Sequence, residues 1–502
     1  MPSSNGQPPA VRVTRCDVLL PDGTVVEGSG LRFEEGKVAG LEPGADDGAL
    51  TVDGSGLLAL PGLVNAHAHS PEACLRGIGE GLTLEPWLIL MFGTSGPFTA
   101  DDHYDCALAA SVEMLQAGVT CVVDHLWMTP PSDEAIDGAM RAYRDSGIRA
   151  SVAPLMGDRD FTEELAESLG IDLGDASIAA QLRLLEPAEL VGILERAFDR
   201  WHGEEGGRLR VMAGPSGVQW ASDELLEGLA GVARRNGSGI HFHLLETFVQ
   251  DSTCRLRFGG SSVSALEQMG LLSSDVSLPH SVWLDEDEVA LIASSGAVVV
   301  HNPTANQRLG SGKAPVAALL EAGATVAVGT DGAASSDNQD LWDALKLAAL
   351  IHTDGDRWVD SAEALAMATV GGAQVVGGPP GLGRLEPGAP ADVVLVARNS
   401  PSLAGAQDVV ASLVLSSGAR PVRHVFVGGR QVLADGEPTL VDARRAAQRL
   451  RRQADGRRPG VSSPPDRTLQ AMRHMEHVRA VVARNRADGG VAVSTGVTAG
   501  RP

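Results

Sequence analysis

Eight short apolar runs between residues 57 and 331 alternate with helix-like segments, and this alternation limits the fold more than any other feature of the chain. The runs are LLALPGLVNAH, GVTCVVDH, IRASVAPLM, RLRVMAGP, GIHFHL, DVSLPH, AVVVHN and TVAVGTD. Segments such as ADDHYDCALAASVEMLQAG and ASDELLEGLAGVARRNG separate them. Strand and helix in alternation predict a parallel sheet, and eight such units predict an α/β chain closed as a (β/α)8 TIM-type barrel. Polar residues sort onto one end of that barrel. His67 and His69, His125, His243, His280, His301 and Asp331 all fall at the C-terminal ends of their runs. In a barrel those ends and the loops after them form the face that carries active sites.

The flanking segments read differently. Residues 1–57 alternate apolar and polar positions with Gly and Asp at the reversals, as in VRVTRCDVLL, PDG and GLRFEEGKVAG. Such patterning predicts short strands joined by turns. Residues 388–440 return to it in ADVVLVA and RHVFVGGRQVLADGE. The two ends are expected to form one composite β-sandwich domain beside a barrel spanning 58–387. Residues 441–502 are expected to add an Arg-rich helical extension with a disordered end. The connection at about 156–190 is long and acidic, and long βα loops usually cap the site.

Composition excludes several partners. A net charge of −24 lacks the basic surface that nucleic acid or an anionic membrane requires. No apolar run approaches the roughly 18–20 residues of a membrane span, and the N-terminus lacks a signal-peptide pattern. The five cysteines are scattered and form no CxxC motif, as expected of a reduced cytoplasmic protein.

The strand-end residues carry a recognisable chemistry. Residues i and i+2 of a strand face the same side, so His67 and His69 point together into the barrel mouth. His241 and His243 share this spacing, and one of them is a further ligand candidate. Glu246 follows His243 by three residues, where a general acid/base beside a metal site belongs. That favours His243 as the ligand and leaves His241 a structural group. Asp331 ends an apolar run, a costly place for a carboxylate unless it is paired or on a metal. His280 ends the sixth run in LPH. Four imidazoles and two carboxylates are the inventory of a catalytic metal site with its proton-transfer groups. Glu85 and Trp87, His125, and Gln219 and Trp220 lie in loops over the same mouth and are candidate substrate-binding residues. Aromatic faces with a few polar groups suit a flat small-molecule ligand.

The motifs PGLVNAHAHS, HFHLLE, LPHSVWL, HNPTANQRLGSGKAPV and VGTDGAAS resemble the amidohydrolase superfamily. Within it they are similar to the cytosine, guanine and S-adenosylhomocysteine deaminases and the triazine hydrolases, over about residues 10–435. The resemblance implies one divalent metal, usually zinc and sometimes iron, held by His67, His69, His243 and Asp331. It implies that Glu246, His280 and Asp331 handle protons, and that a homo-oligomer such as a dimer forms. Related branches bridge two metals with a carboxylated lysine on the fourth strand. The three lysines here, Lys37, Lys313 and Lys346, lie elsewhere. Nucleoside-acting members carry His after the proline that ends the fourth strand, and this chain has Ser216. The expected reaction is hydrolytic deamination of an aminated heterocycle. The alternatives are hydrolysis of an amide, N-alkylamino or chloro substituent, or a non-catalytic scaffold.

Overall fold

The computed structural model describes residues 10–45, 48–169, 184–353, 357–418 and 421–487. Eight parallel strands close a barrel. They are β1 (Leu63–Ala68), β2 (Val119–Leu126), β3 (Arg149–Met156), β4 (Leu209–Val211), β5 (Ile240–His241), β6 (Val276–Pro279), β7 (Val298–His301) and β8 (Thr325–Val328). Strands β1–β4 and β5–β8 each pair in sequence order. His241 N donates to Ala213 O at 2.9 Å and joins the two halves. Asp331 N donates to His67 O at 2.9 Å and closes the ring. Parallel strands buried on both faces tolerate near-continuous apolar sequence, and β1, β2 and β7 are buried throughout.

The first apolar run divides at Gly62. Its first half, Leu57–Pro61, pairs with Val393–Ala397 and Asp17–Leu19 in a separate seven-stranded sheet. Its second half is β1, so the barrel starts at Leu63 rather than at residue 58. A side chain at Gly62 would lie within 2.2 Å of the Thr120 hydroxyl, so only glycine allows this crossing. The seven-stranded sheet draws strands from both ends of the chain and faces a four-stranded sheet of N-terminal strands. Val11, Val13, Phe33, Leu395 and Phe426 share the core between them. Phe33 and Phe426 meet edge to face at 5.2 Å. The ion pair of Arg149 with Asp392, 2.9 Å and almost wholly buried, ties this sandwich to the barrel.

Two C-terminal helices cross the catalytic face of the barrel. Helix α1 (Leu84–Ser95) follows β1, and α2 (Ala443–Ser462) and α3 (Asp466–Ala487) come from the C-terminal extension. Ala471, Met475, Val478 and Val482 form a buried stripe on α3 at helical spacing. The stripe packs on Ile89 of α1, Leu165 and Ala166 after β3, and Val249 after β5. One helix therefore straps three βα connections together. The acidic stretch expected to cap the site falls partly on 170–183, and the expected disordered end on 488–502. Both lie outside the described residues. No helix among the described residues is long and apolar enough to cross a membrane.

Candidate metal-dependent active site

Four donors converge where β1, β5 and β8 end. His67 Nε2 and His69 Nε2 lie 3.5 and 3.3 Å from Asp331 Oδ1. His243 Nε2 lies 3.3 Å from His69 Nε2. His67, His69 and Asp331 are nearly or wholly buried, and His243 is half-buried at the rim. Leu245, His280, Ser281 and Asp331 all take positive φ, between 46° and 71°. Non-glycine residues occupy that region at a cost. Here it turns the chain off the strand ends and aims His280 and Asp331 inward.

The opposite ring nitrogens are held by neighbours. His69 Nδ1 donates to His125 O and His243 Nδ1 to Ser216 O, both at 2.6 Å. His67 Nδ1 lies 2.8 Å from His241 Nε2, and His241 Nδ1 lies 2.7 Å from Ser277 Oγ. Ser277 Oγ in turn donates to Ile240 O. This relay leaves His67 Nε2 as a lone pair, buried and without a hydrogen-bond partner in the protein. An orphaned buried nitrogen beside a carboxylate fits a divalent cation. His241, read as structural from the sequence, thus orients His67. Burial and neighbouring imidazoles hold His67 and His243 well below the usual 6.5, in the neutral form a metal requires. Burial also opposes charge on His69, but Asp331 and Glu72 outweigh it and raise its pKa. His125 brings a donor near those of His67 and His243 as well. That trio contains no carboxylate, so the set with Asp331 matches a divalent charge better.

The proton-transfer candidates face the same point. His280 Nε2 lies 3.6 Å from Glu246 Oε2 and 4.0 Å from Asp331 Oδ2. His280 Nδ1 donates to Asn306 Oδ1 at 2.8 Å, which leaves Nε2 as the accepting nitrogen. Burial, reinforced by Asp331, pushes Glu246 well above the carboxylate range. Ser311 Oγ donates to Glu246 Oε1 at 3.0 Å.

A cavity of about 1020 Å3, counted with its open mouth, leads to this centre. Trp87 and Trp220 line it, as the sequence suggests. The other three substrate-binding candidates do not. His125 is fully buried beneath the histidine cluster, because it ends β2 below the rim, and its Nε2 lies 3.3 Å from Gly214 O. Gln219 is 1% exposed and lies outside the lining. Glu85 is wholly buried and does not line the cavity. It pairs with Arg479 of α3 and accepts from Thr247 Oγ1. Sequence reasoning missed Glu72, Ser311 and Asn306. Glu72 lines the cavity and accepts from Ala334 N, Ser335 N and Ser335 Oγ at 2.9–3.0 Å, anchoring the loop behind Asp331. Its position three residues after His69 in HAHSPE was the available signal.

Comparison with known proteins identifies the family of the chain. Residues 58–432 match the amidohydrolase family. The 5'-deoxyadenosine deaminase of Methanosarcina mazei is 32% identical over 440 residues, covering 87% of this chain and 95% of that protein. The 5-methylthioadenosine/S-adenosylhomocysteine deaminase of Desulforudis audaxviator is 34% identical over 434 residues, covering 83% and 94%. Among solved structures, the atrazine chlorohydrolase of Arthrobacter aurescens complexed with zinc superposes with a TM-score of 0.80 at 27% identity, covering 88% of this chain and 100% of that one. Barrel, appended β domain, buried donor set and sequence agree: the chain belongs to the amidohydrolase family and is a hydrolase of carbon–nitrogen bonds.

Proposed function

We propose that the chain binds one zinc ion through His67, His69, His243 and Asp331 and hydrolytically deaminates an aminated heterocycle. When bound, such an ion supplies Lewis-acid activation of a water molecule at neutral pH. The single observation that carries the reading is the placement of Glu246. Its carboxyl group faces the cavity beside the donor set, and burial raises its pKa well above the ordinary carboxylate range, which favours the protonated form. It delivers that proton to a ring nitrogen of the substrate, which makes the adjacent carbon electrophilic. Asp331 takes a proton from the attacking water, and His280 Nε2 holds the water oxygen in line. The new C–O bond forms, the C–N bond breaks, the amino group leaves as ammonia with the proton Asp331 took from water, and the remaining water proton returns to Glu246 as the ring carbonyl forms. Five buried, unpaired cysteines support a reducing compartment such as the cytoplasm.

The test is a panel of aminopurines, aminopyrimidines and aminotriazines assayed for ammonia, with alkylamine and chloride read separately. Ammonia release supports the reading. Release of only amine or chloride favours the alternative suggested by the triazine hydrolase structures.

Elemental analysis of the purified protein is expected to give one divalent ion per chain. His67→Ala, His69→Ala and Asp331→Ala should each lower that content and the turnover while circular dichroism changes little. Two tightly held ions at full activity would overturn the ligand set. His280→Ala should keep the ion and lower kcat more than it raises KM, as expected for a contact made mainly in the transition state. Loss of the ion from this variant would make His280 a ligand.

A further inference from the structure

The wall of the cavity above the catalytic floor is apolar, and the reason lies in the C-terminal strap. Helix α1 supplies one side with Trp87, Leu88, Met91 and Phe92, and Trp127 and Trp220 face them from the loops after β2 and β4. The acidic groups, Glu72, Glu246 and Asp331, gather at the floor with His280. Helix α1 carries one ionisable residue, Glu85, and it does not line the cavity. Arg479 of α3 pairs with its Oε2, and Thr247 Oγ1 donates to its Oε1 at 2.5 Å. The Arg479 guanidinium also sits 4.8 Å over the Phe248 ring. Residues 433–487, which include α3, lie outside the segment that matches the family. Arg479 of the strap thus neutralises the only carboxylate of α1.

A substituent emerging from the reacting ring meets this wall. Among the described residues its hydroxyl groups would lose water and find few polar partners, which is unfavourable. Of the polar groups along it, Arg159 offers donors only. Gln250 Oε1 already accepts from Glu246 N at 2.9 Å. Among the described residues, Thr129, Ser216, the Gln250 amide nitrogen and the Trp127 indole N–H remain. An alkyl or aryl group instead gains contact with aromatic faces.

We propose that the substrate carries an uncharged apolar substituent, alkyl or aryl, on its aminated ring, and that sugar-bearing heterocycles bind poorly. This separates the chain from the similar deaminases named for nucleosides. The proposal takes the identity of the ring, but not that of the substituent, from the deaminase reading.

The test is calorimetric affinity of the metal-loaded enzyme for ring-matched product analogues. Purinone and triazinone cores would each carry a benzyl, ribosyl or carboxymethyl group at the same nitrogen. The benzyl ligand is expected to bind at least tenfold more tightly than the ribosyl one on the core that fits. Leu88→Ser should cut that ratio severalfold by weakening the benzyl ligand alone. Equal or tighter binding of the ribosyl or carboxymethyl ligand overturns the proposal, as does failure of all the ligands to bind or an unchanged ratio in Leu88→Ser. Ammonia release from the corresponding amines tests the reaction separately. A benzyl preference without ammonia release overturns the deaminase reading and leaves the substituent assignment standing.

Discussion

Glu246→Gln is expected to keep its metal and lose roughly 10²–10⁴-fold in turnover, the usual contribution of a general acid–base group. The amide fills the same volume and can still accept from Ser311 Oγ, which lies 3.0 Å from Oε1 in the wild type. It cannot give up and regain a proton near neutral pH. The wild-type carboxyl can, because burial and the nearby Asp331 charge raise its pKa well above the ordinary carboxylate range. None of the four proposed ligand atoms belongs to Glu246, so metal content should stay at the wild-type level. Retention of more than about a tenth of wild-type turnover would remove Glu246 from the proton-transfer step.

Arg479→Ala is expected to lower unfolding stability by about 3–5 kcal/mol, the range for breaking a buried ion pair by removing one partner. Glu85 has no exposed side-chain surface and Arg479 has 11%. Removal of the guanidinium leaves a buried carboxylate with Thr247 as its remaining side-chain hydrogen-bond donor among the described contacts. The cost comes from that uncompensated charge, so Glu85→Gln in the same chain should recover at least half of it. Chemical denaturation of the single and double variants checks both statements. A loss below about 1 kcal/mol in the single variant would place the pair in the class of solvent-screened surface bridges. Because α3 packs on Ile89 and Val249, at the backs of two cavity-lining connections, the same variant should raise KM.

Much of the site was legible because strand periodicity is local. Two histidines at i and i+2, a carboxylate closing an apolar run, and a glutamate three residues past a histidine each announce themselves within a few residues. The backbone then carries them to one rim, since parallel barrel strands end together. Depth along a strand was less legible. His125 and His243 both end apolar runs, yet His243 reaches the rim and His125 stays below it, because the staggered pairing of neighbouring strands sets that height.

The sequence alone determined the barrel, its order of strands and the convergence of His67, His69, His243, His280, Glu246 and Asp331, because each rests on patterns within one short segment. Only the tertiary structure decided where Glu85 points. Helix α1 is apolar on nearly all sides, so its own pattern does not say which face meets the cavity. That choice is made by Arg479 on α3, 394 residues further along the chain. A buried carboxylate turns toward the cation that neutralises it, and which cation lies there is a property of packing that no local pattern encodes.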